Sequence, residues 1–432
     1  MARQVRWFNA VLALVVVTTA CSSKGATSSE VSFQLFGDAE EIRAYRSLIA
    51  AFQKAEPDVR VRLVAVPNQG DHIAKLATDF SGGSPPDLFL INYRRFGQFA
   101  GQGVLEPLGP RLAASATLDE KEFYAEALDA FRFGGSLACL PQNISSQVVY
   151  YNKSLFTRFA VSPPRAQWTW EQFLETARAL TRDTNNDRKP EIYGVAFDID
   201  LVRVAPFIWE AGGEVVDDVK RPSRVVLNSI DAQRALAFVG SLRRQYMVTP
   251  TEAEEEAEDP ETRFSNGRLA MFIDSRRATT TLREVKGLDF DVAPLPMDVN
   301  AANMLHSDAY CMARSSKNKD AAFRFVEFAL AREGAELIAR TGRTVPSLRS
   351  VAESPAFLDP SRKPASAKVF LDNIALLRRF PNIATWNEIE SKVNVPLYDW
   401  YYGTDEVEEL VTAVAAATRG LFGTTPPSPA PS

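Results

Sequence analysis

The sequence predicts an α/β protein of two lobes, each a mostly parallel sheet flanked by helices. Three observations carry that expectation. A chain of 432 residues exceeds what one ordinary hydrophobic core organises. Residues 31 to 91 run strand, helix, strand, helix, strand, the order of parallel strands joined by crossover helices. Finally, the stretch Leu140 to Phe156 leaves one apolar run, exposes a polar elbow and enters another.

Taken in order, Val31 to Phe36 reads as a strand, and Asp38 caps a helix that aligns Ile42, Tyr45, Ile49 and Phe52 on one face. Pro57 and Asp58 end that helix, after which Val59, Val61, Leu63 and Ala65 alternate as a strand. A second helix spans roughly Asp71 to Phe80, and Leu88 to Ile91 is a short, fully apolar strand. Ligands of such sheets bind beyond the carboxyl ends of the strands. That rule points to Asp38, to Asn68, and to Tyr93 with Arg94 and Arg95.

In the elbow, Pro141 cannot donate to a sheet ladder, and Gln142, Asn143, Ser145 and Ser146 follow it. Val148 to Tyr151 is then an unbroken apolar run, and Asn152 caps the next turn. Two readings stand side by side: a crossing between two sheets, where clefts form, or one strand with a polar bulge. Further on, Thr169 and Gln172 make a capping box. The Asp183–Asp187 stretch has a calcium-loop outline, but Arg188 replaces the turn glycine and Gly194 stands where a bidentate Glu belongs. A turn without metal is expected there. Ile192 to Phe197 delivers Asp198 and Asp200 to a loop, Glu252 to Glu261 reads as a solvated acidic loop, and Ala309 to Ala313 is a return strand. The expected division is 31–140 mainly in the first lobe and 141–305 mainly in the second. Residues 306–422 return to the first lobe and end in helices that span both.

Net charge is −5 and no long Lys/Arg run is present, which argues against nucleic acid or an anionic membrane surface as the main partner. Arg3 and Arg6 precede an uncharged run from Trp7 to Ala20, the pattern of a signal peptide over 1–20. Cys21 falls where that run meets a polar linker, so it is the expected lipid-accepting residue, with 21–30 as a tether. Cleavage there shifts the net charge to −7 and leaves Cys139 and Cys311, either two buried thiols or one disulfide in an oxidising compartment. The Pro/Ser/Thr-rich residues 423–432 are expected to be a disordered tail. With only His72 and His306, and no Gly-x-Ser-x-Gly, Walker or Gly-x-Gly-x-x-Gly motif, no enzyme, metal site or cofactor is expected. A two-carboxylate glycosidase, with Asp198 and Asp200 as its acids, is the residual enzymatic alternative.

Several motifs carry a resemblance. Tyr150-Tyr151-Asn152-Lys153-Ser154-Leu155-Phe156 after Leu140-Pro141, Pro86-Asp87-Leu88-Phe89 and Trp168-Thr169-Trp170-Glu171-Gln172-Phe173 are three of them. Phe264 to Met271, Pro294-Leu295-Pro296 and Val345-Pro346-Ser347 continue the series. Their order over Val31 to Phe422 resembles the extracellular solute-binding proteins of ABC importers, in the carbohydrate-binding family that includes maltose-binding protein. The resemblance implies a type II-like periplasmic-binding-protein fold hinged about a cleft, a monomer, a sugar ligand and an ABC permease as partner. Membrane contact is implied through the lipid anchor alone.

Sugars need hydrogen-bonding side chains for hydroxyls and aromatic faces for C–H surfaces. Asp38, Asn68, Asn143, Ser145, Asp200, Asp274 and Asp308 are the polar candidates, and Tyr93, Trp209 and Trp386 the stacking ones. The positions of Asp38, Ser145, Asp200 and Arg277 are similar to ligand-contacting positions of relatives. One departure stands out: Asp274-Ser275-Arg276-Arg277 occupies the place of the family's Gly-x-Trp. Arg277 with Arg94 or Arg343 therefore suits a uronic acid, sugar phosphate or glycerophosphoryl compound, unless it pairs with Asp274 or another protein carboxylate.

Overall fold

Two sheets organise residues 29–422, the part of the chain that the computed structural model describes. The segment 1–20, Cys21 and the tail 423–432 lie outside the described residues.

The first sheet is nucleated by strand Ser29–Phe36, whose Val31, Phe33 and Leu35 are fully buried. It pairs in parallel with Val59–Val66 on one side and Leu88–Asn92 on the other. Asp38 caps helix Ala39–Ala55, its Oδ1 accepting from the Glu41 amide at 2.9 Å. Asn68 does the same for helix Gln69–Ser81. Strand Asp308–Ala313 enters antiparallel beside Leu88–Asn92 and carries Leu105–Glu106 and Leu140–Pro141 on its other flank.

The second sheet runs in the order Phe290–Ala293, Gln147–Asn152, Leu269–Ser275, Tyr193–Ala196. The elbow is thus a crossing: Leu140–Pro141 belongs to one sheet and Gln147–Asn152 to the other. Strand directions differ from the mostly parallel expectation. Gln147–Asn152 runs opposite to both neighbours, and only Leu269–Ser275 with Tyr193–Ala196 is parallel. A strand buried on both faces reads as a plain apolar run whichever way its neighbours point, so direction leaves no mark in the residues.

Cys139 and Cys311 form a disulfide with Cα atoms 4.6 Å apart, where the outgoing and returning strands pair. Glu252–Ala257 is a helix rather than a solvated loop, because Glu254 closes a capping box on Thr251 and accepts from the Tyr193 hydroxyl. Asp183 holds its loop as a turn, accepting from the amides of Asn185, Asn186 and Arg188. Among the described residues no helix is long and apolar enough to cross a membrane.

Helix Trp386–Tyr402 ties the lobes together. It packs on helix Tyr93–Gly101 of the first and on helix Leu201–Glu210 of the second. The approach of its leading turn requires Gly97, since a Cβ there would fall 2.6 Å from the Ile383 carbonyl oxygen.

Candidate functional site

A cavity of about 280 Å³ lies between the two sheets. The first lobe presents Phe36, Glu41, Gln69, Asn92 and Arg94 to it. The elbow contributes Asn143 and Ser145, the second lobe Arg203 and the run Asp274 to Arg277, and the return segment His306, Asp308, Arg343 and Thr344. These side chains gather because they sit at strand ends, in the crossings, or, as with Glu41, Gln69, Arg94 and Arg203, in the first turn of a helix that follows a strand.

The elbow is locked to the return strand. Asn92 and Asn143 both donate to the Asp308 carboxylate, at 3.2 and 3.1 Å, while the Asp308 amide donates back to Asn143 Oδ1. Burial raises the Asp308 pKa, and these two amide donors oppose the rise. Ser145 bridges to the His306 backbone.

Guanidiniums and carboxylates alternate around the wall. Arg343 reaches across to Asp38 at 2.6 Å and Glu41 at 2.7 Å. Burial pushes the Glu41 carboxyl up to about 7 against the pull of Arg343. Arg203 joins Asp200 at 2.7 Å, Asp198 at 3.1 Å and Asp274 at 3.3 Å. Arg277 pairs with Asp274 and, at 3.0 Å, with Glu261, so its guanidinium already has protein partners. Burial favours a neutral Asp274, but Arg277 and Arg203 outweigh it and hold that carboxyl below its ordinary range. Arg94 and Arg95 converge on Glu390 Oε1 at 2.5 and 2.6 Å.

Of the residues the sequence singles out, Arg94, Asn143, Ser145, Asp274, Arg277, Asp308 and Arg343 line the cavity. Asp38 and Asp200 stand behind it, each capping a helix and holding an arginine. Asn68 is exposed and spends its amide on Asp71. The three aromatic candidates are not in the lining. Tyr93 is buried with its hydroxyl accepting from the Phe380 amide. Trp209 and Trp386 both pack on Phe380, at 5.8 and 4.8 Å between ring centroids. Sequence reasoning passed over Glu41, Arg203, Arg276 and His306. Glu41 reads as a first-turn helix acid, and Arg276 lies hidden beside Arg277. His306 carried one signal, being one of only two histidines and two residues ahead of Asp308.

A two-lobed α/β frame with a polar cavity between its sheets defines a substrate-binding protein. The chain belongs to the bacterial extracellular solute-binding protein family, whose model matches residues 38–336. The galactooligosaccharide-binding protein of Bacillus subtilis is 21% identical over 434 aligned residues, 97% of each chain. The mannitol-binding protein of Pseudomonas aeruginosa is 26% identical over 322 residues, 72% of each. Among solved structures, an ABC substrate-binding protein from Listeria monocytogenes in complex with cycloalternan superposes with a TM-score of 0.83 at 23% identity. That match covers 91% of this chain and 98% of the other. The Thermus thermophilus maltotriose binding protein bound with maltotriose gives 0.72 at 23% identity, covering 90% and 99%. Both likenesses are of fold.

Proposed function

We propose that this protein captures a sugar or oligosaccharide in the cleft between its lobes and delivers it to the membrane subunits of an ABC importer. The observation that carries this reading is the cavity between the sheets, lined by hydrogen-bonding side chains from both lobes and from the crossings that join them. A ligand that touches both walls favours the closed arrangement, because only differential affinity for two states shifts their balance. The closed form is then what the permease distinguishes from the empty protein. Asn143, Ser145 and Asp308 take hydroxyls, while Asp38 and Asp200 act through the arginines they hold. The family is extracellular, and Cys21 supplies the membrane anchor after the leader is removed. The protein works as a monomer and performs no catalysis.

A thermal-shift screen of mono- and oligosaccharides tests this, since a ligand of the folded state alone raises the midpoint by mass action. At least one saccharide raises the midpoint, and the glycoside is recovered intact. Hydrolysis of a glycoside without a midpoint shift overturns the transport reading in favour of an exported glycosidase. Cys21→Ser moves the protein from the membrane fraction to the soluble one if the anchor is as proposed.

A further inference from the structure

The guanidiniums of the cleft are already matched. Arg343 serves both Asp38 and Glu41. Arg203 serves Asp198, Asp200 and Asp274, while Arg277 serves Asp274 and Glu261. At Glu390 the balance reverses, with Arg94 and Arg95 meeting one carboxylate. Arg276 pairs with no carboxylate among the described residues, but its guanidinium is directed elsewhere. Its Nε donates to the Gly342 carbonyl at 2.8 Å, and its Cζ lies 4.8 and 5.0 Å from the Phe357 and Phe370 rings. Across the cleft wall, then, carboxylates outnumber the guanidiniums that face them.

Asp308 is where the shortage of cations falls. It lines the cavity and is partly exposed to it. Each of its oxygens takes one amide donor, Oδ1 from Asn92 at 3.2 Å and Oδ2 from Asn143 at 3.1 Å, which leaves each a free lone pair. No guanidinium or ammonium pairs with it among the described residues, and Arg343 and Arg94 act on it only from a distance. His306, two residues away, brings no positive charge, since burial lowers its imidazole to about 3. Glu41 lines the same cavity, and its carboxyl, raised mainly by burial, is raised further by the charge of Asp308.

We propose that the ligand is a small amino sugar, its ammonium seated on Asp308 beside Glu41 and its hydroxyls held by Ser145 and the guanidiniums of the wall. This rests on the sugar-capture reading and names its substrate class. A hydroxyl would fill one lone pair of Asp308 and add no charge, whereas an ammonium brings three donors and the missing cation. A sugar acid meets the reverse, because its oxyanion would face Asp308 and Glu41 while the guanidiniums it reaches already hold carboxylates. The volume of about 280 Å³ is at the low end of small-molecule sites, which suits a short ligand.

Titration calorimetry of the full chain at neutral pH tests the assignment. The probes are D-glucose, maltotriose, D-glucuronate, D-glucosamine, 6-amino-6-deoxy-D-glucose and N-acetyl-D-glucosamine. At least one of the two free amines binds about tenfold or more tighter than D-glucose, the discrimination expected of a charged hydrogen-bonded pair. N-acetyl-D-glucosamine, which keeps the nitrogen and loses the charge, shows no such gain. Asp308→Asn, which keeps the shape of the side chain, abolishes the preference for the amine. If that variant fails to fold, the free amines against the N-acetyl sugar on the unaltered protein decide the matter. Neutral sugars or D-glucuronate binding as tightly as the amines overturns the inference and leaves sugar capture standing. An amine preference that survives Asp308→Asn also overturns it. Binding by none of the six overturns this inference and counts against sugar capture as well.

Discussion

Two regions at the junction of the lobes have opposite chemistry. The cleft wall is built of arginines interleaved with carboxylates, and among the described residues its aromatic rings are Phe36 and the imidazole of His306. Behind it, Trp209, Phe380 and Trp386 form a dry cluster, with Tyr93 beside Phe380. Tyr93, Trp209 and Trp386 come from the first lobe's helix, the second lobe's helix and the closing helix, and Phe380 from the loop that leads into the last of these. The contrast teaches that here aromatic area fastens the closing helix to both lobes, while the side chains offered to the cavity are charged and amide groups. Apolar burial is non-directional and suits fastening. Guanidinium pairing is directional and suits recognition.

The largest expected effect tests where the two regions meet. Glu390 is on the closing helix, 2% exposed, and its carboxylate serves both Arg94 and Arg95. Burial would make that carboxyl neutral, but the two guanidiniums keep its pKa low. Glu390→Ala leaves two buried cations without a partner and costs about 5 kcal/mol in denaturant unfolding, the upper end for breaking a buried pair. A loss below about 1 kcal/mol would mean that the pair is solvated and the helix does not seal the cleft. Next comes Trp386→Ala, which costs about 4 kcal/mol as a large core truncation while ligand affinity stays within a few-fold. The opposite pattern, lost affinity with stability intact, would move Trp386 into the binding site and erase the contrast.

The cleft also differs from the cluster in carrying carboxyl and imidazole groups whose titration burial shifts, as it does that of His72 behind it. Glu41 rises from 4.5 to about 7 in the folded protein, so it contributes stability that is complete below 4.5 and lost as pH rises toward 7. His306 falls from 6.5 to about 3, and His72 to about 4. Their contributions are complete above 6.5 and lost as pH falls through those lower values. The two slopes oppose each other between 4.5 and 6.5. At full extent the Glu41 contribution is on the order of 3 kcal/mol and that of His306 on the order of 5 kcal/mol. Glu41→Gln should therefore steepen the rise of the thermal midpoint with pH over that window, and His306→Asn should flatten it. A pH profile unmoved by either substitution would show that the cleft groups are hydrated, as an open cleft would leave them.

Much of the fold was legible because its signals are local. The capping box at Thr169 and Gln172, the cap at Asp38 and the proline in the elbow each act within a few residues, and each appears where it was read. Strand direction in the second sheet was not legible, since pairing partners are remote in sequence. The site divides the same way. Asn143, Ser145 and Asp308 could be placed because crossings between sheets are marked by polar residues inside apolar runs. Trp209 stands in an apolar helix, and there burial is the ordinary outcome for an aromatic ring. Arg276 and Arg277 are identical in type and adjacent, and only the positions of Asp274, Glu261 and Gly342 separate a paired guanidinium from an unpaired one. Those positions are a property of the folded chain.

The smallest expected effect probes the outer edge of the aromatic cluster. Arg378 lays its guanidinium 5.0 Å from the Trp209 ring and holds Glu214 at 2.6 Å, with both charged side chains substantially exposed. An exposed cation–π contact and a solvated ion pair together contribute little, so Arg378→Ala should cost no more than about 1 kcal/mol. Removing it also unroofs a depression of about 340 Å³ bounded by Trp209, Arg379 and Phe380. If the cleft alone recognises the ligand, saccharide affinity stays unchanged in calorimetry. A loss of affinity with longer saccharides but not with a monosaccharide would mean that a ligand extends from the cleft onto Trp209. The cluster would then fasten and recognise at once, and the division between the two regions would fail at this edge.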